Sequence, residues 1–439
     1  MSNILKNQQN ILQKLSIEKL NPMQEEAHAV ISSCSDIVLL SPTGTGKTLA
    51  FLLPIIAELD ADCADIQALI IVPSRELAIQ IEQVIREMGT GYKANAVYGG
   101  RSGSKDKIEL KHPPAILIGT PGRVADHIRR ENFSLEKISV LVLDEFDKSL
   151  EVGFEAEMSE ISSALPNIQK KILTSATNKV IIPDFVALKD PTYINYLEEG
   201  VPQLKIKTIL SPTKDKLETL AETLYQLRNQ PGIIFCNFKE SIQEVSDFLI
   251  DKNINHGCFY GGMEQKDRER VLIKFRNGTN QLLVATDLAA RGIDVPEIKF
   301  IIHYQLPQRN HEFIHRNGRT ARMHNEGTAY IMHWEKEYLP IYIQETASYQ
   351  ADEINEESIP AATIWKTLFI SGGRKDKISK GDISGLFIKQ GNLEKDQIGI
   401  IELKQDCAFV AVQASQVDRL IQKIDNSRLK KKKIRVNII

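Results

Sequence analysis

Short apolar runs alternate with longer amphipathic stretches along most of this chain, in two successive blocks. In the first block, runs at 37–40, 68–72, 115–119, 140–143 and 171–174 have the length and composition of strands. Stretches of helical period separate them; residues 75–88, for example, put Leu77, Ile81 and Val84 on one face. The second block repeats the theme at 232–236, 257–260, 282–285, 300–304 and 329–332. Continuous apolar strands spaced by helices imply parallel sheets covered on both faces, hence two α/β domains. Residues 198–213, with Gly200, Pro202 and Pro212, read as the linker between them. A second, acidic linker spans 346–362 and carries Pro360. What remains suits one small α+β domain. The expected division is 1–200, 205–345, the linker 346–362, and 363–439.

Charge sharpens that division. The net charge of −2 hides an asymmetry: residues 363–439 hold 16 Lys and Arg against 8 Asp and Glu, a net of +8, while the other residues hold 39 against 49, a net of −10. A basic tail on an acidic body points to a module that binds a polyanion. The five cysteines are scattered with no CxxC pair, which fits reduced thiols in a cytoplasmic protein and not a metal site. The longest apolar run, 49–57, is interrupted by Pro54 and is too short to span a bilayer, and residues 1–13 are polar with no signal-peptide core. No membrane partner is expected.

The chemistry begins at Ser41-Pro42-Thr43-Gly44-Thr45-Gly46-Lys47-Thr48, between the first strand and an amphipathic helix. Such a loop turns successive backbone N–H groups into one concavity, and the helix start adds partial positive charge. Ser41, Thr43, Gly44, Thr45 and Gly46 would cradle phosphates. Lys47 would reach the β- and γ-phosphates, and Thr48 would place a hydroxyl on Mg²⁺. Ser41 stands where the usual pattern has glycine. Asp144-Glu145-Phe146-Asp147 follows the run 140–143, at the strand end where parallel sheets bind ligands. There Asp144 suits a Mg²⁺ ligand acting through water, and Glu145 the base that orients the attacking water. Ser175-Ala176-Thr177 ends another strand, where Ser175 and Thr177 could sense Asp147 through hydrogen bonds. In the second block, His315-Arg316-Asn317-Gly318-Arg319-Thr320-Ala321-Arg322 spaces arginines three apart on one helical face. Arg319 and Arg322 are candidate arginine fingers, with His315 a coupling residue.

Over roughly residues 15–340 these motifs resemble, in order, the DEAD-box RNA helicases. The match includes Asn21-Pro22-Met23-Gln24, the phosphate loop, Pro73-Ser74-Arg75-Glu76-Leu77-Ala78, Gly99-Gly100, Thr120-Pro121-Gly122-Arg123, the acidic motif and Ser175-Ala176-Thr177. It continues through 233–237, 285–294 and the arginine motif. The resemblance implies an α/β chain of two RecA-like parallel-sheet domains with RNA-dependent ATPase activity. It implies that Gln24 reads adenine and that Asp294 contacts the ribose. It assigns the RNA backbone to Arg75, Gly99, Gly100, Thr120, Gly122 and Arg123 in the first domain, and to Gln265, Arg268, Thr286 and Gly292 in the second. Three departures stand out: Phe146 replaces the family's alanine, Asn7 the aromatic residue upstream of Gln24, and Ser74 the usual threonine.

Residues 363–439 resemble a small α+β RNA recognition motif-like domain, and the tail of the DbpA group of DEAD-box proteins in particular. Leu368-Phe369-Ile370-Ser371-Gly372 and Gln405-Asp406-Cys407-Ala408-Phe409-Val410-Ala411-Val412 sit where the two ribonucleoprotein motifs belong. Phe369 and Phe409 are candidate base-stacking rings; the alternative is that both belong to the core of the sheet. Arg374 and Lys375 begin one basic cluster, and Lys430 to Lys433 with Arg435 form another. The resemblance implies ATP and Mg²⁺, and a structured large-subunit ribosomal RNA or pre-ribosomal particle as partner, with no obligate protein partner. Phe146, a bulky ring between Glu145 and Asp147, keeps open an ATP-gated RNA clamp or scaffold without productive unwinding. A DNA-directed motor of the same superfamily is a second alternative.

Overall fold

Among the described residues three sheets organise the chain: two of seven parallel strands and one of four antiparallel strands, with a short separate hairpin. The computed structural model describes residues 7–100, 103–151, 153–177, 181–197, 204–228, 230–287, 298–320, 326–343, 347–348 and 363–439.

The first domain contains β1 (Asp36–Leu40), β2 (Ala68–Ile71), β3 (Ala94–Val97), β4 (Ile116–Gly119), β5 (Val140–Leu143), β6 (Lys170–Ser175) and β7 (Thr192–Asn195), in the order β3-β4-β2-β5-β6-β1-β7. Alternate residues of one strand feed two separate cores. Leu39 and Ile70 pack with the helices Lys47–Glu58 and Arg75–Met88. Val38, Leu69 and Ile71 pack on the other face with Val124, Met158 and Ile161. That two-sided burial is why the strands read as unbroken apolar runs. The order also sets β5, β6 and β1 side by side, so that three loops leave one edge of the sheet together.

The second domain repeats the plan with β8 (Leu204–Ser211), β9 (Gly232–Phe235), β10 (His256–Phe259), β11 (Leu282–Ala285), β12 (Phe300–His303), β13 (Gly327–Trp334) and β14 (Ala347–Ser348), in the order β10-β11-β9-β12-β13-β8-β14. Here the expected linker needs correction. Residues 204–211 form a strand paired with β13 along its whole length. Leu204-Lys205-Ile206-Lys207 alternates apolar with polar residues, a short strand signal that the flanking Gly200, Pro202 and Pro212 obscure. The expected acidic linker contributes Ala347–Ser348 to the same sheet, and its other residues lie outside the described ones.

The tail runs β15 (Trp365–Ile370), helix Lys380–Lys389, β16 (Ile398–Leu403), β17 (Ala408–Gln413), helix Val417–Ile424, the hairpin β18–β19 (Arg428–Leu429 and Lys432–Lys433) and β20 (Val436–Ile438). Its sheet order is β16-β17-β15-β20. This βαββαβ arrangement is the RNA recognition motif-like plan expected from the sequence. Leu368, Ile370, Val410 and Val412 point to the helices and form the core with Ile383, Phe387 and Leu420. Domain two and the tail belong to one compact unit, the first domain to another.

Candidate nucleotide and RNA sites

In the first domain, three loops converge from adjacent strand ends. The phosphate loop leaves β1, the acidic motif leaves β5, and Ser175-Ala176-Thr177 leaves β6. Ser41 N–H donates to the Ser175 carbonyl at 3.0 Å, which ties two of the loops. Gly44 and Gly46 both have φ of 86°, a conformation that glycine adopts without a Cβ penalty. The Ser41 and Thr45 hydroxyls share a hydrogen bond of 2.7 Å, so serine at the departed glycine position braces the loop from within. Lys47 Nζ donates to the Ser41 and Pro42 carbonyls at 2.6 and 2.8 Å. Burial drives the Lys47 pKa down to about 8, against the pull of Glu145 and Asp144. Thr43 and Thr48 lie on the same loop and first helical turn.

Gln24 is buried against this loop. It closes a capping box with Asn21: its backbone N–H donates to Asn21 Oδ1 at 2.9 Å, and its Oε1 accepts from Asn21 N–H at 3.0 Å. Gln24 Nε2 donates to the Gly46 carbonyl at 3.2 Å, and Asn21 Nδ2 to the Thr45 carbonyl at 3.0 Å. A Cβ at Gly46 would stand 2.3 Å from Gln24 Nε2, so glycine here is also a matter of space. Asn7 caps the helix Gln8–Lys14 through its side chain, a structural use for the residue that replaces an aromatic.

Asp144 and Glu145 are set by Thr174, a residue that carries no signal in the sequence because it lies inside β6. Thr174 Oγ1 donates to Asp144 Oδ1 at 2.5 Å and accepts from Glu145 N–H at 3.1 Å. Burial first, and then repulsion from Glu145, raises the Asp144 pKa to about 6. Glu145 has φ of 49°, an uncommon conformation for a non-glycine residue. Lys148, fully buried, pairs with Glu145 Oε1 at 2.8 Å. Thr177 Oγ1 donates to Asp147 Oδ2 at 3.4 Å, and Ser175 Oγ accepts from Thr177 N–H at 3.0 Å. Phe146 is 2% exposed and packs in the core behind the sheet. Its ring therefore takes up core space instead of nucleotide space.

The donor set suits Mg²⁺ with a nucleotide. Among the described residues no group of three or more His, Cys, Asp or Glu side chains could hold a metal. One buried carboxylate and one hydroxyl match an ion that keeps several waters and relies on phosphate oxygens for the rest.

Other candidate residues of the first domain gather around two turns. The Arg75 guanidinium lies over Gly99–Gly100; a Cβ at Gly100, where φ is 87°, would stand 2.6 Å from Arg75 Nη1. Thr120 occupies the N-cap position of the helix Pro121–Arg129 without a side-chain capping bond, and a Cβ at Gly122 would meet nothing within 4 Å, which leaves open space there. Arg123 is held by Asp106, with Nε and Nη2 donating to Oδ2 at 2.9 and 2.8 Å.

In domain two, Arg268 Nη1 donates to the Tyr260 carbonyl at 3.1 Å, and its guanidinium lies 4.3 Å from the Phe259 ring centroid. Gln265 opens the same helix, and Thr286 follows β11. Arg319 is 3% exposed and His315 5%. Arg316, absent from the sequence-based site, organises this end of the sheet. Its Nε and Nη2 pair with Asp287 at 2.6 and 2.5 Å, Nη1 donates to the Gln305 carbonyl at 2.7 Å, and Nη2 donates to Asn237 Oδ1 at 2.7 Å. Its spacing from Arg319 gives no sign of this, because the helix Asn310–Asn317 ends before Arg319, and the expected single helical face of arginines is not formed. Gly292, Asp294 and Arg322 lie outside the described residues. In the tail, Phe369 is half-buried and Phe409 is 5% exposed, with ring centroids 5.7 Å apart in an edge-on arrangement. Arg374 and Lys375 sit on a short 3₁₀ turn whose N–H groups bond the Lys404 and Gln405 carbonyls.

Family comparisons agree with this geometry. Residues 21–182 match the DEAD/DEAH box helicase family, 215–324 the helicase conserved C-terminal domain, and 367–438 the DbpA RNA binding domain. The ATP-dependent RNA helicase DbpA of Bacillus subtilis is 32% identical over 92% of this chain and 91% of its own length. That of Escherichia coli is 29% identical over 98% and 96%. Among solved structures, Saccharomyces cerevisiae Dbp5 bound to RNA and ADP BeF3 is similar with a TM-score of 0.66 at 27% identity, covering 76% of this chain and 89% of that one. Mss116 bound to ssRNA and UDP-BeF gives 0.67 at 26%, covering 80% and 78%. A strand-end ATP site, a second RecA-like sheet and an RNA-binding tail define a DEAD-box ATPase. Within that class the chain belongs to the ATP-dependent RNA helicases of the DbpA type.

Proposed function

We propose that this helicase locally separates duplexes in large-subunit ribosomal RNA during ribosome assembly, in the cytoplasm, with its basic tail selecting the RNA. The observation that carries the reading is the tail itself: an RNA recognition motif-like fold with a net charge of +8 joined to a core of the opposite sign. Backbone contacts position a core on any strand, so selectivity must come from an added module. Five free cysteines suit a reducing compartment.

Glu145 would orient the attacking water, and Lys47 would hold the β- and γ-phosphates. Arg319 and Arg322 would stabilise charge at the γ-phosphate after domain closure. Thr48 and, through water, Asp144 would hold Mg²⁺, which neutralises charge on the phosphates. Gln24 would recognise adenine once its tie to Gly46 is exchanged for the base. Burial of Phe146 in the core gives the clamp alternative no support from the site.

The test compares ATP-driven strand separation on a transcribed fragment of large-subunit ribosomal RNA with that on an unrelated duplex of equal stability. A preference for the ribosomal fragment is expected; equal rates would remove the targeting claim and leave the helicase in place.

A further inference from the structure

The helix Gln265–Arg276 is used at both ends. Its first turn carries Gln265 and Arg268, which the family resemblance assigns to the RNA backbone. Its last residue and the following turn meet the tail. Arg276 Nε and Nη2 donate to the two Glu402 oxygens at 2.7 and 3.0 Å. Asn277 Nδ2 donates to Thr367 Oγ1 at 3.1 Å, and the Thr279 and Thr367 hydroxyls share a bond of 2.7 Å. Lys404 pairs with Glu269 at 2.6 Å. At Gly278, where φ is 70°, a Cβ would stand 3.4 Å from Trp365 Cδ1. Thr367 is fully buried, and Asn277 and Thr279 nearly so.

This contact falls on the sheet face that carries the two rings. Register places Glu402 beside Phe409, Phe409 beside Phe369, and Phe369 beside Asn437, one row across four strands. Arg276 grips the Glu402 end of that row. The basic hairpin belongs to the opposite layer. Lys430 pairs with Asp382 of the helix Lys380–Lys389 at 2.7 Å, and Lys432 with Asp376 at 3.1 Å. Arg428, Lys431 and Lys433 are exposed there.

We propose that Arg276, Glu402 and Thr367 are positioning residues: they hold the tail in one orientation on this helix, so that RNA gripped by its basic layer reaches Gln265 and Arg268 in a set register. The inference rests on the reading that the tail selects RNA. A tether alone would raise the local concentration of RNA without orienting it. A planar guanidinium paired at two points with a carboxylate, beside buried hydroxyl bonds, admits one geometry where an apolar patch admits several. Fixing that geometry in advance removes an ordering cost from productive binding.

The experiment uses the full chain as wild type, Arg276→Glu, Glu402→Arg and the double charge reversal. RNA-stimulated ATPase is titrated with a transcribed large-subunit ribosomal RNA fragment and, separately, with poly(U); direct binding of the fragment is measured alongside. Each single reversal should raise the half-activating concentration of the fragment by about fivefold or more. Fragment binding and the maximal poly(U) rate should stay at wild-type level, and the double reversal should recover the wild-type value. Thr367→Val, which removes both hydroxyl bonds without a charge change, should act in the same direction. Unchanged half-activation in the single variants, no recovery in the double variant, or an equal loss with poly(U) overturns the proposal. A wild-type protein with no preference for the fragment over poly(U) overturns both this proposal and the targeting reading, and that result is visible before any variant is compared.

Discussion

At Glu145 a left-handed backbone, a bond to the Thr174 hydroxyl and an ion pair with Lys148 meet in one residue. Its shape should survive replacement by glutamine, while its capacity to accept a proton would not. Glu145→Gln should therefore bind ATP and RNA normally but turn over roughly 10²–10⁴-fold more slowly, read by steady-state ATPase. Lys47→Ala should instead weaken nucleotide binding by roughly tenfold or more, read by equilibrium titration, because it would delete the charge-assisted phosphate bond proposed for it. Two opposed shifts also predict a pH profile for kcat/KM of ATP. In the proposed Mg²⁺ role Asp144 must be ionised, and its raised pKa would make activity fall as the pH drops through about 6. In the proposed phosphate role Lys47 must be charged, and its lowered pKa would make activity fall as the pH rises through about 8. A bell between those limits is the expected outcome; a flat profile across that whole range and a unit beyond each limit would separate both groups from the rate.

Among the elements, strand ends that carry chemistry are legible in the sequence and the brackets that hold them are not. The loops after β1, β5 and β6 announce themselves by residue type at fixed spacing, as does the two-sided burial of their strands. β8 is concealed because its punctuation, Gly200 and Pro212, lies outside it while its own alternation is short. Thr174 and Arg316 are illegible for a different reason: a threonine within a strand and an arginine within a basic run show their partners only after the chain has folded. Asn237, Asp287 and Gln305 come from three separate segments to meet Arg316. Because Arg316 is 1% exposed, Arg316→Ala should leave Asp287 without its counter-charge and cost domain two about 3 kcal/mol in chemical denaturation. Lysine cannot reproduce that fork, so Arg316→Lys should recover little of the loss.

For the whole molecule, the acidic body and basic tail predict how salt acts. Binding of RNA by the tail should weaken steeply with salt, because basic side chains displace condensed counterions. Exchanging Lys431 and Lys433 for alanine should flatten the slope of log K against log salt by about 0.7–0.9 for each phosphate that the two side chains neutralise. Phe409→Ala should leave that slope in place, since its ring is uncharged. Measuring binding at several salt concentrations would distinguish the two, and an unchanged slope in the lysine variant would move the RNA to another surface. The chain has two tryptophans, and both belong to the same compact unit: Trp334 ends β13, and Trp365 opens β15 against the Gly278 turn. Tryptophan emission, excited at wavelengths where tyrosine does not absorb, therefore carries no fluorophore from the first domain. One of its two sources, Trp365, sits at the seam between the second domain and the tail, so a red shift of that part of the emission in Arg276→Glu would signal the tail lifting away without any attached dye.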